Sequence, residues 1–79
     1  MIKVVDVKAK NNYVLELTFN DGVKGDVCIK DSLFGVMFEP IKDFSYFNQV
    51  SIDEFGVICW PNEADLDSTV LYNKIKSLH

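Results

Sequence analysis

The sequence predicts a small α+β domain: an antiparallel sheet of about five strands, built from two hairpins, with a C-terminal helix packed on one face. The hairpins are predicted because apolar residues alternate on both sides of an Asn20-Asp21-Gly22 turn and again around an Asp53-Glu54-Phe55-Gly56 turn. The helix is predicted from apolar residues at helical spacing behind Asp67. The chain has 79 residues, 48 % of them apolar, which suits one hydrophobic core, so we expect a single domain over residues 1–79.

The first strand, predicted over residues 2–8, has an irregular pattern. Its apolar positions change parity between Val4 and Val5, which indicates either burial on both faces or a β-bulge. Asn11 and Asn12 follow, and asparagine tolerates the left-handed backbone of tight turns. We therefore expect a turn there, leading into the second strand.

The second and third strands have the clearest alternation. Every second residue is apolar over residues 13–19, which is the period of a half-buried strand, and the alternation resumes over residues 23–29. The second hairpin pairs residues 50–52 with residues 57–60. Pro61 ends its last strand because proline has no amide hydrogen to donate to a ladder.

Residues 31–48 lose the two-residue period and contain Gly35 and Pro40, which predicts irregular chain with short helical turns. Asp43 is the predicted N-cap of one of them. Most of the aromatic rings in this stretch should lie in the core; alternatively, two or three exposed rings form a protein interface. These rings are Phe34, Phe38, Phe44, Tyr46 and Phe47.

The final helix should begin after Asp67, which is its predicted N-cap. Its apolar residues recur every three or four positions, so they should form one buried stripe. The stripe consists of Leu71, Ile75 and Leu78.

The charges argue against a nucleic-acid surface. All eight basic residues are lysines, against twelve Asp and Glu, so the net charge is −4. Nucleic-acid binding usually needs a positive stripe, often with arginine, so we expect no direct contact with DNA or RNA. The longest apolar run has four residues, Val57–Trp60, so we also expect no membrane span.

Cys28 and Cys59 each lie between two apolar neighbours, which predicts that they are reduced, buried residues. Because the N-terminal residues do not resemble an export signal, we expect a cytoplasmic protein. His79, the only histidine, is the last residue, and no nucleophile has a base partner in a recognisable motif. We therefore expect no enzyme and no cofactor; the alternative is Asp65 or Glu63 as an acid or base.

The densest acidic group lies between the second hairpin and the helix and consists of Glu63, Asp65 and Asp67, near Asn62. Hard cations bind carboxylates, but the D-x-D-x-D-G calcium loop is missing. Aspartates at a helix start also cap its amide hydrogens and offset its dipole. We therefore expect solvated and capping carboxylates, and no metal site.

Trp60 and the loop after it are the strongest candidates for binding a partner. Tryptophan anchors interfaces, but a small domain also needs large apolar side chains in its core. The Pro61–Ala64 loop either binds a partner or bonds the backbone around the helix start. The candidate partner-binding residues are Phe38, Trp60, Asn62, Glu63 and Asp65.

Three blocks of residues carry a resemblance to a known family. They are Leu17-Thr18-Phe19-Asn20-Asp21-Gly22, Phe38-Glu39-Pro40-Ile41-Lys42-Asp43 with Phe47, and Trp60-Pro61-Asn62-Glu63-Ala64-Asp65-Leu66 with Leu71-Tyr72. In these blocks the chain resembles the bacterial family known as domain of unknown function 2442. The likeness spans nearly the whole chain, and its most specific block is W-P-N-x-A-D-L followed by a helix.

The resemblance implies an α+β domain that occurs alone, or ahead of a helix-turn-helix domain in longer relatives. It also implies small genes that often neighbour another small gene, an arrangement like that of a toxin and its antitoxin. We therefore expect a non-catalytic interaction domain, the antitoxin-like or accessory member of a two-gene module, whose partner is another small protein or a second copy of the chain. The alternative is a nucleic-acid-linked transcriptional regulator module that lacks its helix-turn-helix.

The chain departs from the family pattern at three positions. Glu63 stands where members usually have glycine, Cys28 where many have aspartate, and Phe44 where many have proline. If position 63 needs a positive φ, glutamate there costs about 1 kcal/mol relative to glycine.

Overall fold

The computed structural model describes residues 1–33 and 35–77 and shows an α+β fold with two antiparallel sheets. The first sheet consists of β1 (Val4–Lys10), β2 (Val14–Phe19) and β3 (Lys24–Cys28), in that order. The second consists of β4 (Ser51–Ile52), β5 (Ile58–Cys59) and β6 (Asp65–Leu66), in that order. The helices are α1 (Phe44–Phe47) and α2 (Ser68–Ser77).

The prediction of one sheet of about five strands is therefore wrong. The two sheets meet beside β1, where the N–H of Val4 donates to the carbonyl of Gly56 at 2.9 Å. This bond does not continue into a ladder, so the hairpins remain separate sheets. β6 was not predicted, because a strand of two residues is too short to show a period.

The irregular pattern of the first strand reflects a β-bulge. Val4 pairs with Phe19 and Asp6 with Thr18, so the register shifts between Val4 and Asp6. Val4 is buried while Val5 is exposed. Of the two alternatives that the parity change left open, the structure thus shows the β-bulge and not burial on both faces.

Helix α2 packs on β3 at close range. A side chain at Gly25 would meet the Cγ2 methyl of Ile75, because a Cβ built there lies 2.8 Å from it. The ring of Tyr72 meets that of Phe19 edge to face, with centroids 5.1 Å apart. Leu71 and Ile75 are buried as predicted, whereas Leu78, the third residue of the predicted stripe, lies outside the described residues, as do His79 and Phe34. No helix of the described chain is long and apolar enough to span a bilayer.

The chain between the sheets forms short helical turns, as predicted. Three-residue 3-10 turns cover Lys30–Ser32, Val36–Phe38 and Pro40–Lys42, and α1 follows. Asp43 caps α1, because its Oδ1 accepts the N–H of Ser45 at 2.8 Å. Among the described aromatic residues of this stretch, Phe47 is buried, Phe38 and Tyr46 are half-buried, and Phe44 is exposed.

The prediction that both cysteines are buried is wrong. Cys28 is exposed and Cys59 is partly exposed, and both are free thiols. Val27 and Ile29 are buried, and successive side chains of a strand point to opposite faces, so Cys28 faces outward.

Candidate partner-binding surface

Trp60 is a core residue. Its side chain is 2 % exposed, and its indole Nε1–H donates to the carbonyl of Phe47 at 3.0 Å. The two aromatic rings lie 6.2 Å apart. The indole therefore contributes no surface to a partner; its role is to anchor the segment that follows it.

The segment after Trp60 is a tight hairpin turn joining β5 to β6. The N–H of Glu63 donates to the carbonyl of Trp60 at 2.9 Å, and the N–H of Trp60 donates to the carbonyl of Ala64 at 3.0 Å. These bonds define a four-residue turn, Trp60–Glu63, whose last residue is left-handed, which is a common hairpin connection. The Pro61–Ala64 loop thus has a structural role within the second sheet.

The same pair of hydrogen bonds closes two further hairpins. In the β2–β3 turn they join Phe19 to Val23 and Gly22 to Phe19, and in the β4–β5 turn they join Asp53 to Val57 and Gly56 to Asp53. Gly22 has φ +91° and Gly56 has φ +75°. Glycine adopts this conformation without a steric penalty because it has no Cβ.

Glu63 occupies the glycine position of the third turn. Its φ is +70°, so the condition under which glutamate is costly at this position is met. An L-residue in the left-handed region costs about 1–2 kcal/mol. The Glu63 side chain is exposed, so no burial of that side chain offsets this cost.

Asn62 connects the turn to a distant part of the chain. Its Oδ1 accepts the N–H of Ala64 at 3.1 Å, and its Nδ2 donates to the carbonyl of Met37 at 2.8 Å. Met37 belongs to the 3-10 turn Val36–Phe38, which is 25 residues away in sequence. The structure therefore places the predicted residues Phe38, Asn62 and Glu63 on two adjoining turns.

We call the exposed surface of these two turns the turn face; it comprises Val36, Met37, Asn62 and Glu63. Val36 is 88 % exposed and Met37 is 47 % exposed, whereas Phe38 is half-buried against the core. Sequence reasoning missed Val36 and Met37. The sequence did contain one signal that could have identified them: an apolar run directly after Gly35 that belongs to no alternating segment and so to no predicted strand.

Asp65 is not part of the turn face. It lines a shallow groove of about 570 Å³ together with Ile2, Phe55 and Leu66. Asp67, on the same groove, caps α2 as predicted, because its Oδ1 accepts the N–H of Thr69 at 2.8 Å. Within residues 1–33 and 35–77, no three His, Cys, Asp or Glu side chains are grouped so as to hold a metal ion.

The outer face of the first sheet carries charges that neutralise one another. The Lys10 ammonium lies 3.0 Å from Glu16 and 3.3 Å from Asp26, and Lys24 lies 3.9 Å from Glu16. The hydrogen bond with Lys10 lowers the pKa of Glu16, and the bonds with Glu16 and Asp26 raise the pKa of Lys10. These lysines do not form a positive stripe.

The fold and its surface define a class: a small two-sheet α+β domain that exposes apolar side chains on a fixed turn. A family model described as "Protein of unknown function (DUF2442)" matches the chain over residues 4–77. The chain belongs to this family, which confirms the resemblance found in the sequence. Searches of curated proteins and of solved structures returned no match.

Proposed function

We propose that the chain is a non-catalytic, cytoplasmic protein-interaction domain that binds a second protein through the turn face. The observation that carries the proposal is the exposure of Val36 and Met37 on a turn tied to the second sheet by the Asn62–Met37 bond. Exposed apolar side chains grouped on a surface mark sites of protein interaction.

The energetics support this use of the turn face. Fully burying an exposed valine side chain contributes about 1.5–3 kcal/mol, and the exposed half of Met37 adds a smaller contribution, so both residues can contribute to a specific interaction. The hydrogen bonds of Asn62 hold both turns in place before a partner arrives. A preorganised surface loses less conformational entropy on binding.

The conformation of Glu63 supports the same site. Backbone strain is concentrated at functional positions, where the surrounding structure enforces it. Glu63 is one of three non-glycine residues with a positive φ among the described residues; it is exposed and follows directly after Asn62, which is bonded to Met37. A glutamate in place of glycine adds a negative charge to the turn face, and this charge would act on a partner rather than on the fold.

An antitoxin-like or accessory role in a two-gene module is the form of the proposal that the family resemblance favours. In that form, the turn face covers a surface of the neighbouring gene's product. The alternative of a nucleic-acid-linked regulator is less well supported, because Lys10, Lys24 and Lys42 each lie within 4 Å of a carboxylate. Phosphate contacts would require those ion pairs to open.

Site-specific photo-crosslinking in the source cell tests the proposal. A benzophenone amino acid is placed at Val36, on the turn face, or at Val5, an exposed valine of β1 that serves as the matched control. We expect a discrete crosslinked protein from position 36 and none from position 5; its mass distinguishes a second copy from another protein. The proposal fails if position 36 gives no product or if both positions give the same one.

A further inference from the structure

The groove that contains Asp65 forms a second surface with its own chemistry. It lies between the β4–β5 turn and the start of α2, and its volume is about 570 Å³. Phe55, at the tip of the turn, is 65 % exposed, and Ile2 and Leu66 are half-buried beside it. An aromatic ring and two aliphatic side chains thus form an apolar floor that is open to solvent.

The groove is preformed, because hydrogen bonds fix the backbone on both of its sides. The hydroxyl of Ser68, buried at the start of α2, donates to the carbonyl of Gly56 at 2.8 Å. The Oδ1 of Asp53 accepts the N–H groups of Phe55 and Val57 at 2.8 and 3.0 Å. The apolar floor therefore exists without a ligand.

The charge at the groove is negative. Asp65 and Asp67 line it, and no lysine does so among the described residues; the α-ammonium belongs to Met1, which also lines the groove, so the two carboxylates outnumber the one cation. Asp67 is committed to capping the N–H of Thr69, whereas the exposed carboxylate of Asp65 makes no hydrogen bond or ion pair within the described part of the chain. Asp65 is thus the acid available to a ligand.

We propose that this groove binds a cationic amphipathic segment of a partner protein. Apolar side chains of the segment pack on Phe55, Ile2 and Leu66, and a lysine or arginine of the segment pairs with Asp65. Charge complementarity selects this occupant, because carboxylates at the rim repel nucleic acids and anionic lipids and attract basic peptides. None of the residues that line the groove belongs to the turn face, so this inference goes beyond the proposed function and does not depend on it.

The test uses the full chain with a C-terminal tag, because Met1 lines the groove. The probe is a synthetic peptide with lysine and leucine at helical spacing, and the matched probe has glutamate in place of every lysine. Binding is measured by fluorescence anisotropy, and the contact site by amide NMR shifts. We expect the lysine peptide to bind, and its affinity to fall as the salt concentration increases. Its binding should shift the amide NMR signals of Phe55 and Leu66. The glutamate peptide should not bind.

Variants locate the site. We expect Phe55→Ser to weaken binding of the lysine peptide about tenfold and Asp65→Asn to weaken it about threefold. Asp31→Asn removes the same charge from another exposed position, and Val36→Ser alters the turn face; both should leave the affinity unchanged. The inference is overturned if the two peptides bind equally, if neither binds, or if Asp31→Asn weakens binding as much as Asp65→Asn.

Discussion

The N–H of Glu63 donates to the carbonyl of Trp60 at 2.9 Å, and this turn holds Glu63 at φ +70°. The equivalent residues of the β2–β3 and β4–β5 turns are glycines. We predict that Glu63→Gly raises the free energy of unfolding by about 0.5–1 kcal/mol, because the relief of strain exceeds the entropy that glycine gains in the unfolded chain. Urea unfolding followed by circular dichroism measures this change.

Glu63→Ala is the control for the first prediction. Alanine removes the carboxylate but retains the Cβ that makes a positive φ costly. The alanine variant should therefore be no more stable than the natural protein. If alanine stabilises the fold as much as glycine does, the effect comes from charge and the strain argument is wrong.

Trp60 and Phe47 provide the second prediction. Trp60→Phe removes the Nε1–H that bonds the carbonyl of Phe47 in the core and leaves a void beside the smaller ring. The carbonyl keeps one partner, because the N–H of Val50 also donates to it at 3.2 Å, so the lost indole bond itself costs about 0.5–1.5 kcal/mol. We expect a loss of about 2–4 kcal/mol in the free energy of unfolding with the cavity included, measured by urea unfolding; a loss of a few tenths of a kcal/mol would contradict the buried bond.

The third prediction concerns the contact between β3 and α2. Gly25→Ala places a Cβ 2.8 Å from the Cγ2 methyl of Ile75, and overpacking of this kind costs about 1–3 kcal/mol. In an Ile75→Ala background the methyl is gone, so Gly25→Ala should be nearly neutral. A double-mutant cycle of unfolding free energies measures the coupling between the two substitutions. A stabilising osmolyte keeps the destabilised variants folded in the absence of denaturant. Equal costs in both backgrounds would show that the helix does not pack on Gly25.

The fourth prediction is a pH dependence at Asp21. The Tyr72 hydroxyl donates to its Oδ2 at 2.6 Å, and this bond, with a second from the N–H of Val23, lowers the pKa of Asp21 below its ordinary value of 3.8. A lowered pKa stabilises the fold above the ordinary pKa, and that contribution is lost as the pH falls through the folded-state value.

Tyr72→Phe tests this dependence. At neutral pH the variant should be less stable than the natural protein, and the difference should shrink as the solution is acidified below the pKa of Asp21. NMR titration should show the pKa of Asp21 moving up toward its ordinary value in the variant. A stability difference that is constant with pH would assign the effect of Tyr72 to its packing on Phe19 alone.

The features that were predictable from the sequence are those with local causes. The two-residue period fixes the faces of β2 and β3, the parity change locates the bulge at Val4, and aspartates before helices identify the caps Asp43 and Asp67. Each depends on residues within a few positions of one another.

The features that were missed have tertiary causes. The Asn62–Met37 bond joins residues that are 25 apart in sequence, so no local pattern reveals that it builds the turn face. Val36 and Met37 are exposed because no other part of the described chain packs over them. Their apolar character alone would have predicted burial. The second sheet was misjudged because its strands have two residues each, too few to display a register.

The most direct test of the central claim is the dissociation constant of the crosslinked partner, measured by calorimetry with two matched variants. Val36→Ser removes an apolar side chain from the turn face, and Val5→Ser removes one from the exposed bulge of β1. We predict that Val36→Ser weakens binding about tenfold while Val5→Ser leaves it within about twofold. Equal affinities for the natural protein and Val36→Ser would contradict a partner-binding role for the turn face.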